Sequence, residues 1–417
     1  MIEVESKADV LVVGAGIIGI ACAHYLVRAG YKVTVIDQST IGSGCSASNC
    51  GHISPSHVLP LTEPGAISLG LKSLFDRDAA FRVKPQLSLS LLRWMVEFAR
   101  RCNQKSMLLA ASQLKPLLDS SMSEFHDLVS DLECDWQDSG LLYVLETEKG
   151  LKEFTKTNNM INDQFGFSAN PITSQELPDF DPAFKQGLAG AFHYSGDAHL
   201  RPDLLAHSWS ELLKKEGVRF IEQCTLKTLS VSNKQIDHMH TSNGVMKAEH
   251  YVIAAGAWSS TLANQLGCSV PVQPGKGYSV TMSRPTICPS HSALFPEHRI
   301  GVTPFRDSYR LGSMMEFVGF DDTIPDRRIN QLIEWAKPYL KEPSTNTILE
   351  KWQGWRPMTW DSLPILGRAP NLANTFMATG HNMLGVTMAT GSGKLISELI
   401  QGHTTHIDSL PFSPSRF

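Results

Sequence analysis

Three glycines and an acid carry the first chemistry: Gly14, Gly16 and Gly19, with Asp37 about twenty residues on. Glycine at Gly14 permits a tight turn, at Gly16 it lets backbone amides approach a pyrophosphate, and at Gly19 it lets a helix pack close to a sheet. Ile17 and Ile18 open that helix, where free N–H groups and the helix dipole favour an anion. Asp37, followed by Gln38, can accept hydrogen bonds from a ribose diol, and an acid there disfavours a 2′-phosphate. This is the chemistry of holding a dinucleotide.

The elements that must position these residues follow in order along Asp9 to Gln38. An apolar run, Val10 to Val13, enters the glycines, a helical pattern continues to Arg28, and Tyr31 to Ile36 reads as a second strand ending at Asp37. A plain tight turn in an α/β sheet would need the glycines alone. After Asp37, Ser39 to Ser56 is crowded with Gly, Ser, Asn and Cys. Such a stretch makes a poor helix or strand but offers small side chains and backbone donors, Ser46, Ala47, Ser48, Asn49 and Gly51 among them, to a flat ring. His52 and His57 are candidates for catalysis, although a histidine beside a cofactor more often packs or hydrogen-bonds. Val252 to Gly256 reads as a buried strand ending in small residues, so the turn at Ala255 and Gly256 can approach the same ligand. Gly380 to Gly385 forms a further turn, before a helix expected to begin near Val386 and to face an anion or a carbonyl dipole.

The chain has 417 residues, more than one ordinary core, which predicts two domains. A net charge of -4 without a basic block argues against a nucleic-acid partner. The eight cysteines are scattered without metal-ligand spacing, which predicts a reduced, cytoplasmic protein with no metal. The charged N-terminus runs directly into the first strand, so no secretory signal is expected, and no apolar run of about eighteen residues occurs outside the glycine-broken unit. Phe81 to Glu148 is mainly helical, and within it Leu87 to Arg101 gathers Leu91, Trp94, Met95 and Phe98 on one helical face. That face covers either a core or active site, or a membrane surface, which would place the protein at the inner face of the membrane. Helices are expected at Leu204 to Lys215 and Arg327 to Tyr339, and strands at Gly140 to Leu145, Val218 to Ile221, Tyr278 to Thr281, Ile300 to Thr303 and Tyr309 to Ser313. The expected domains interleave: 1–85, 190–270 and 345–417 bind the nucleotide, while 86–189 and 271–344 form the other unit.

Several motifs carry a resemblance over nearly the whole chain. The glycine fingerprint extends through Ala23 and Gly30; the loop Ser46-Ala47-Ser48-Asn49-Cys50-Gly51 follows, then Ala254-Ala255-Gly256-Ala257-Trp258. The C-terminal part carries Trp355-Arg356-Pro357-Met358-Thr359, Leu363-Pro364-Ile365-Leu366-Gly367 and Gly380-His381-Asn382-Met383-Leu384-Gly385. In these the chain resembles the flavin amino-acid oxidoreductases of the D-amino acid oxidase and glycine oxidase type, with the bacterial D-amino acid dehydrogenases the nearest group.

The resemblance implies an α/β, two-domain flavoprotein: a Rossmann-like FAD-binding domain and an interleaved α+β substrate domain of antiparallel sheet. It implies FAD held non-covalently, since no residue matches the covalent anchor of sarcosine oxidases. The flavin ring would lie against Ser46 to His52 and against Gly380, His381, Met383, Leu384, Gly385, Val386 and Thr387. Arg356 takes the role of gripping the substrate carboxylate, beside His52 and Met383; a guanidinium offers a planar fork of constant charge. A structural ion pair is the competing role for Arg356. Two positions depart from the glycine oxidases: Met383 stands where they have an arginine and Gly301 where they have a tyrosine, leaving Tyr278 or Tyr309 as substitutes. The implied enzyme oxidises D-amino acids to imino acids and 2-oxo acids by hydride transfer from Cα to flavin N5, passing electrons to a quinone or another acceptor. Secondary amino acids such as D-proline, cis-4-hydroxy-D-proline or sarcosine are the alternative substrates. The alternative from another class is a prenyl-protein escort protein, which binds a partner without redox chemistry.

Overall fold

Strand β1 (Ala8–Val13) is the centre of the first sheet, with Val10 and Val12 fully buried. It pairs in parallel with β2 (Val33–Ile36) on one side and with Ala248–Ile253 on the other, placing Val12 opposite Val35 and Val252. The six-stranded order runs 365–368, 375–379, 248–253, 8–13, 33–36, 219–221, parallel except at its first pair. Interior strands of such a sheet are covered on both faces, which explains their unbroken apolar runs. Helix α1 (Ile17–Arg28) covers one face through Ile20, Ala21, Ala23 and Leu26, and a Cβ at Gly19 would overlap the carbonyl oxygen of Gly14. The other face packs against a small antiparallel sheet, 226–232, 235–241 and 244–246, through Ile236, Met239 and Met246.

The computed structural model describes residues 8–67, 79–84 and 88–417. Residues 1–7, the expected boundary at 85 and 86, and Leu87 at the start of the expected amphipathic helix lie outside the described residues.

A second, nine-stranded sheet is built on three long strands, Val272–Ser283, Ser308–Phe317 and Ile348–Thr359. Most of its pairs are antiparallel, as expected; Ser292–Phe295 with Leu141–Leu145 and Phe81–Val83 with Ser308–Phe317 are parallel. Helix Asp326–Ala336 seals one face, where Ile329, Leu332 and Ala336 join Tyr278, Val280, Tyr309 and Leu311 in a core. The opposite face meets the loop that follows β2.

Several expectations need correction. Strands Gly190–Tyr194 and Ile348–Thr359, expected in the nucleotide unit, hydrogen-bond into the nine-stranded sheet. Helix Gln104–Leu128, expected in the other unit, buries Ala111, Leu114, Leu117 and Phe125 in the core around α1. The helix expected near Val386 is Ala389–Gln401, starting three residues later, because residues 385–388 wind as turns. Helix Leu89–Arg101 turns Leu91, Trp94 and Phe98 inward against Met315, Phe317 and Met358. Trp94 Nε1 donates to the Pro271 and Met358 carbonyls at 3.1 and 3.2 Å, so this face is spent on the core and is closed to a membrane. No helix among the described residues is long and apolar enough to cross a membrane.

Candidate functional site

A cleft opens at the C-terminal ends of β1, β2 and strand Ala248–Ile253, where ligands bind in open α/β sheets, and runs to the edge strand Ile348–Thr359 of the second sheet. At its near end stand Asp37 and Gln38, with Ser39 and Ser43 beside them. Asp37 accepts from the backbone N–H of Ala15 (2.7 Å) and of Ser39 (2.8 Å), which fixes the carboxylate at the mouth of the glycine turn. Gly14, Gly16, Ile17 and Ile18 form the floor, with Ala255 and Gly256 opposite. Ser46 Oγ accepts the Ile17 N–H at 3.0 Å, satisfying one of the amides a helix start leaves free. Thr379 Oγ1 donates to the Gly256 carbonyl at 2.9 Å and pins the facing turn.

The far end gathers Ser46, Asn49, Arg356, His381, Met383, Gly385 and Val386. Gly19 lies beneath the floor, as its packing role requires. Ala47, Ser48, Gly51, Gly380, Leu384 and Thr387 stand behind the wall; Thr387 Oγ1, for example, donates to the His52 carbonyl at 3.1 Å. His52 itself does not line the cleft, contrary to its expected substrate contact. Its Nε2 stands 3.0 Å from Thr303 Oγ1 and 3.3 Å from the Val302 carbonyl, holding the ring against the second sheet. The space above Gly301 is filled by Cys50 Sγ and the His52 ring. Tyr278 and Tyr309 cannot replace the missing tyrosine: both are buried under helix Asp326–Ala336, with Tyr278 O–H donating to Glu316 at 2.6 Å.

Sequence reasoning missed Cys45, Trp352 and Gly354, which line the cleft beside Arg356. The signal was available for two of them, since residues 352, 354 and 356 share one face of a strand. Cys224, Thr225 and Leu226 also line the near end, and nothing in their types announces it.

The loop behind the far end is fastened in an unusual way. Ser279 Oγ donates to the Ser48 carbonyl (2.7 Å), Arg310 Nη1 to that of Asn49 (2.8 Å) and Thr303 Oγ1 to that of Cys50 (2.6 Å). Three adjacent strands of the second sheet thus hold three successive carbonyls of a loop that belongs to the first.

Arg356 Nη1 donates to the Met314 carbonyl at 2.8 Å, and the guanidinium lies over Gly277, where an added Cβ would fall within 2.6 Å of Cζ. Among the described residues no carboxylate pairs with it; burial pulls its pKa below the ordinary guanidinium value, with only the Cys50 and Cys45 thiols opposing. The competing role as a structural ion-pair arginine therefore lacks its partner. Because the guanidinium tip can swing, Gly277→Ala is expected to fold and bind cofactor normally while raising KM about 10- to 100-fold, the scale of a 1 Å misplacement. Steady-state kinetics beside flavin content checks this.

Burial keeps the nearby histidines neutral: His52 and His381 are each pushed down to about 3, and His57, whose Nδ1 lies 2.8 Å from Tyr143 O–H, is also lowered. Asp197 moves the other way. It accepts from Ser56 N–H (3.1 Å) and from Ser56 O–H, and burial pushes its carboxyl up to about 7 from an ordinary 3.8. A raised carboxyl pKa means that the folded state favours the proton, so this stability is complete below pH 3.8 and lost as pH rises through 7. The unfolding free energy of Asp197→Asn minus that of wild type should therefore rise by about 4 kcal/mol from below pH 3.8 to above pH 7. The buried histidines act oppositely, losing stability as pH falls from 6.5 toward 3, so the difference curve is the diagnostic one.

The protein residues fit a flavin dinucleotide: a tight glycine turn at the cleft floor, where a Cβ at Gly14 would overlap the Ala254 carbonyl, an acid at the ribose end, and His381 Nδ1, buried without a partner among the described residues on a residue that lines the cleft. Comparison with known proteins agrees. The sequence model of the FAD dependent oxidoreductase family matches residues 9–399. The chain belongs to this family. As an FAD-dependent oxidoreductase it would hold the pyrophosphate at Gly16 to Ile18, the ribose at Asp37 and the flavin ring near Ser46, Asn49 and His381. The chain is 31% identical over 420 residues to a D-amino acid dehydrogenase of Vibrio atlanticus, covering 98% of this chain and all of the relative. Among solved structures it is similar to glycine oxidase from Geobacillus kaustophilus (TM-score 0.77, 22% identity, 99% of each chain) and to L-proline dehydrogenase from P. horikoshii (TM-score 0.73, 20% identity, 99% and 98% covered). At those identities the likeness is one of fold.

Proposed function

We propose that this FAD-dependent oxidoreductase dehydrogenates D-amino acids at the Cα–N bond, yielding an imino acid that water hydrolyses to a 2-oxo acid and ammonia. The observation that carries the reading is Arg356, a cleft-lining guanidinium with no carboxylate partner among the described residues, held by the Met314 carbonyl and free to fork onto a substrate carboxylate. The relationship to D-amino acid dehydrogenases supports the stereochemical series. Bound FAD supplies the two-electron oxidation. The chain's own residues orient the substrate through Arg356 and shield it with Trp352, Cys45 and Met383. No general base is required of them when the amine binds unprotonated, in keeping with the neutral His52, His57 and His381. Burial pushes the thiols of Cys45 and Cys50 up, which keeps them poor nucleophiles and supports non-covalent FAD.

The test is the visible spectrum of the anaerobic protein before and after D-amino acids, D-proline, cis-4-hydroxy-D-proline, sarcosine and L-amino acids. Bleaching of the flavin band by primary D-amino acids is expected. Bleaching only by secondary amines or by the L-series overturns the substrate assignment, and a colourless protein would favour the escort-type reading. Re-oxidation of the bleached protein by a quinone but not by oxygen would identify it as a dehydrogenase.

A further inference from the structure

Two histidines far along the chain from the glycine motif stand in a chelating arrangement. His238 and His240 are two apart on the strand Gln235–Thr241, so both side chains leave the same face of the three-stranded sheet. Their Nε2 atoms lie 3.1 Å apart, with the ring planes at 71°. Behind His238, Asp237 Oδ2 stands 2.8 Å from Nδ1 and accepts its N–H, which leaves the Nε2 lone pair directed toward His240. Lys247 Nζ fixes the other carboxylate oxygen at 2.8 Å. A carboxylate accepting the far N–H is the outer partner that metal-bound imidazoles use.

The spacing suits a shared ion. Two metal–nitrogen bonds of about 2.05 Å spanning such a separation subtend about 98° at the metal, between the octahedral and tetrahedral values. The His238 side chain is 27% exposed and His240 is exposed, so solvent can complete the shell. Across the sheet, Ser230 stands opposite His238 and Thr228 opposite His240 on one side, and Val245 stands opposite His240 on the other. Among the described residues no third His, Cys, Asp or Glu joins the pair, which makes the site open and exchangeable. We propose that His238 and His240 form a two-nitrogen site for a divalent transition-metal ion such as Zn²⁺, Ni²⁺ or Cu²⁺, with Asp237 holding His238 in the ligating tautomer.

Calorimetric titration of the untagged, FAD-loaded protein with Zn²⁺, and separately with Ni²⁺, tests this near neutral pH. One ion per chain is expected; His238→Gln or His240→Gln removes that binding, and Asp237→Asn weakens it about 10- to 100-fold. Unchanged flavin content in each variant shows that the fold is intact. Should a variant fail to fold, paramagnetic broadening of two imidazole signals by Ni²⁺ in the wild-type protein decides the same question. Absence of binding by wild type, or equal binding by His240→Gln, overturns the proposal and leaves a plain imidazole–imidazole hydrogen bond.

Discussion

Arg356→Lys should raise KM for the amino-acid substrate about 30- to 150-fold while the protein keeps its full complement of FAD. An ammonium is a point charge without the planar fork, and it cannot grip a carboxylate in two parallel bonds while also reaching the Met314 carbonyl. Disturbing one partner of a buried, hydrogen-bonded charge pair costs about 2–5 kcal/mol, and retention of charge puts lysine at about 2–3. Arg356→Met, which leaves the substrate carboxylate unpaired, belongs at the upper end. Steady-state kinetics with flavin absorbance per chain reads both quantities. Loss of flavin in parallel with activity would assign Arg356 to the cofactor or the fold, and would remove the main support for a carboxylate substrate.

The second large effect is at Gly14. Its φ of +111° lies where L side chains are strained, and a Cβ there would overlap the Ala254 carbonyl oxygen. Backbone strain of about 1–3 kcal/mol and overpacking of similar size are both expected in Gly14→Ala. Together they are a sizeable fraction of a stability of about 5–15 kcal/mol, so both the urea midpoint and FAD content should fall. Gly16→Ala is the contrast, because its nearest protein atom, Ser46 Oγ, would be 3.4 Å from the new Cβ. That variant should fold as wild type does and lose affinity for FAD alone. Equal urea midpoints in the two variants would show that the turn at Gly14 is not under the constraint described here.

What could be read from the residues alone follows the range of the interactions involved. The unit from β1 to Asp37 was legible because strand, turn and helix are specified by neighbours within about thirty residues. Arg356 was legible through its motif, but Gly277 beneath it was not: their proximity depends on the register of two strands far apart in sequence, in which Gly277 faces Gly354. Helix Leu89–Arg101 shows the same limit. Its periodicity reveals an apolar face but cannot say what covers it, and here the cover is Phe317 and Met358. His52 stands off the cleft lining for a related reason, since its ring is held by Thr303 and Val302. The domain limits were misplaced because strands Gly190–Tyr194 and Ile348–Thr359 join whichever sheet offers free backbone partners, a choice made in three dimensions.

The hold that Ser279, Arg310 and Thr303 keep on the carbonyls of Ser48, Asn49 and Cys50 bears on kinetics as well as architecture. Carbonyls stripped of their donors away from water are costly, so the loop cannot swing clear one contact at a time without each step being uphill. Exchange of the flavin with the surrounding solution would then wait on a cooperative local opening that parts the two sheets, making the lifetime of the bound state a property of the whole junction and separable from its equilibrium affinity.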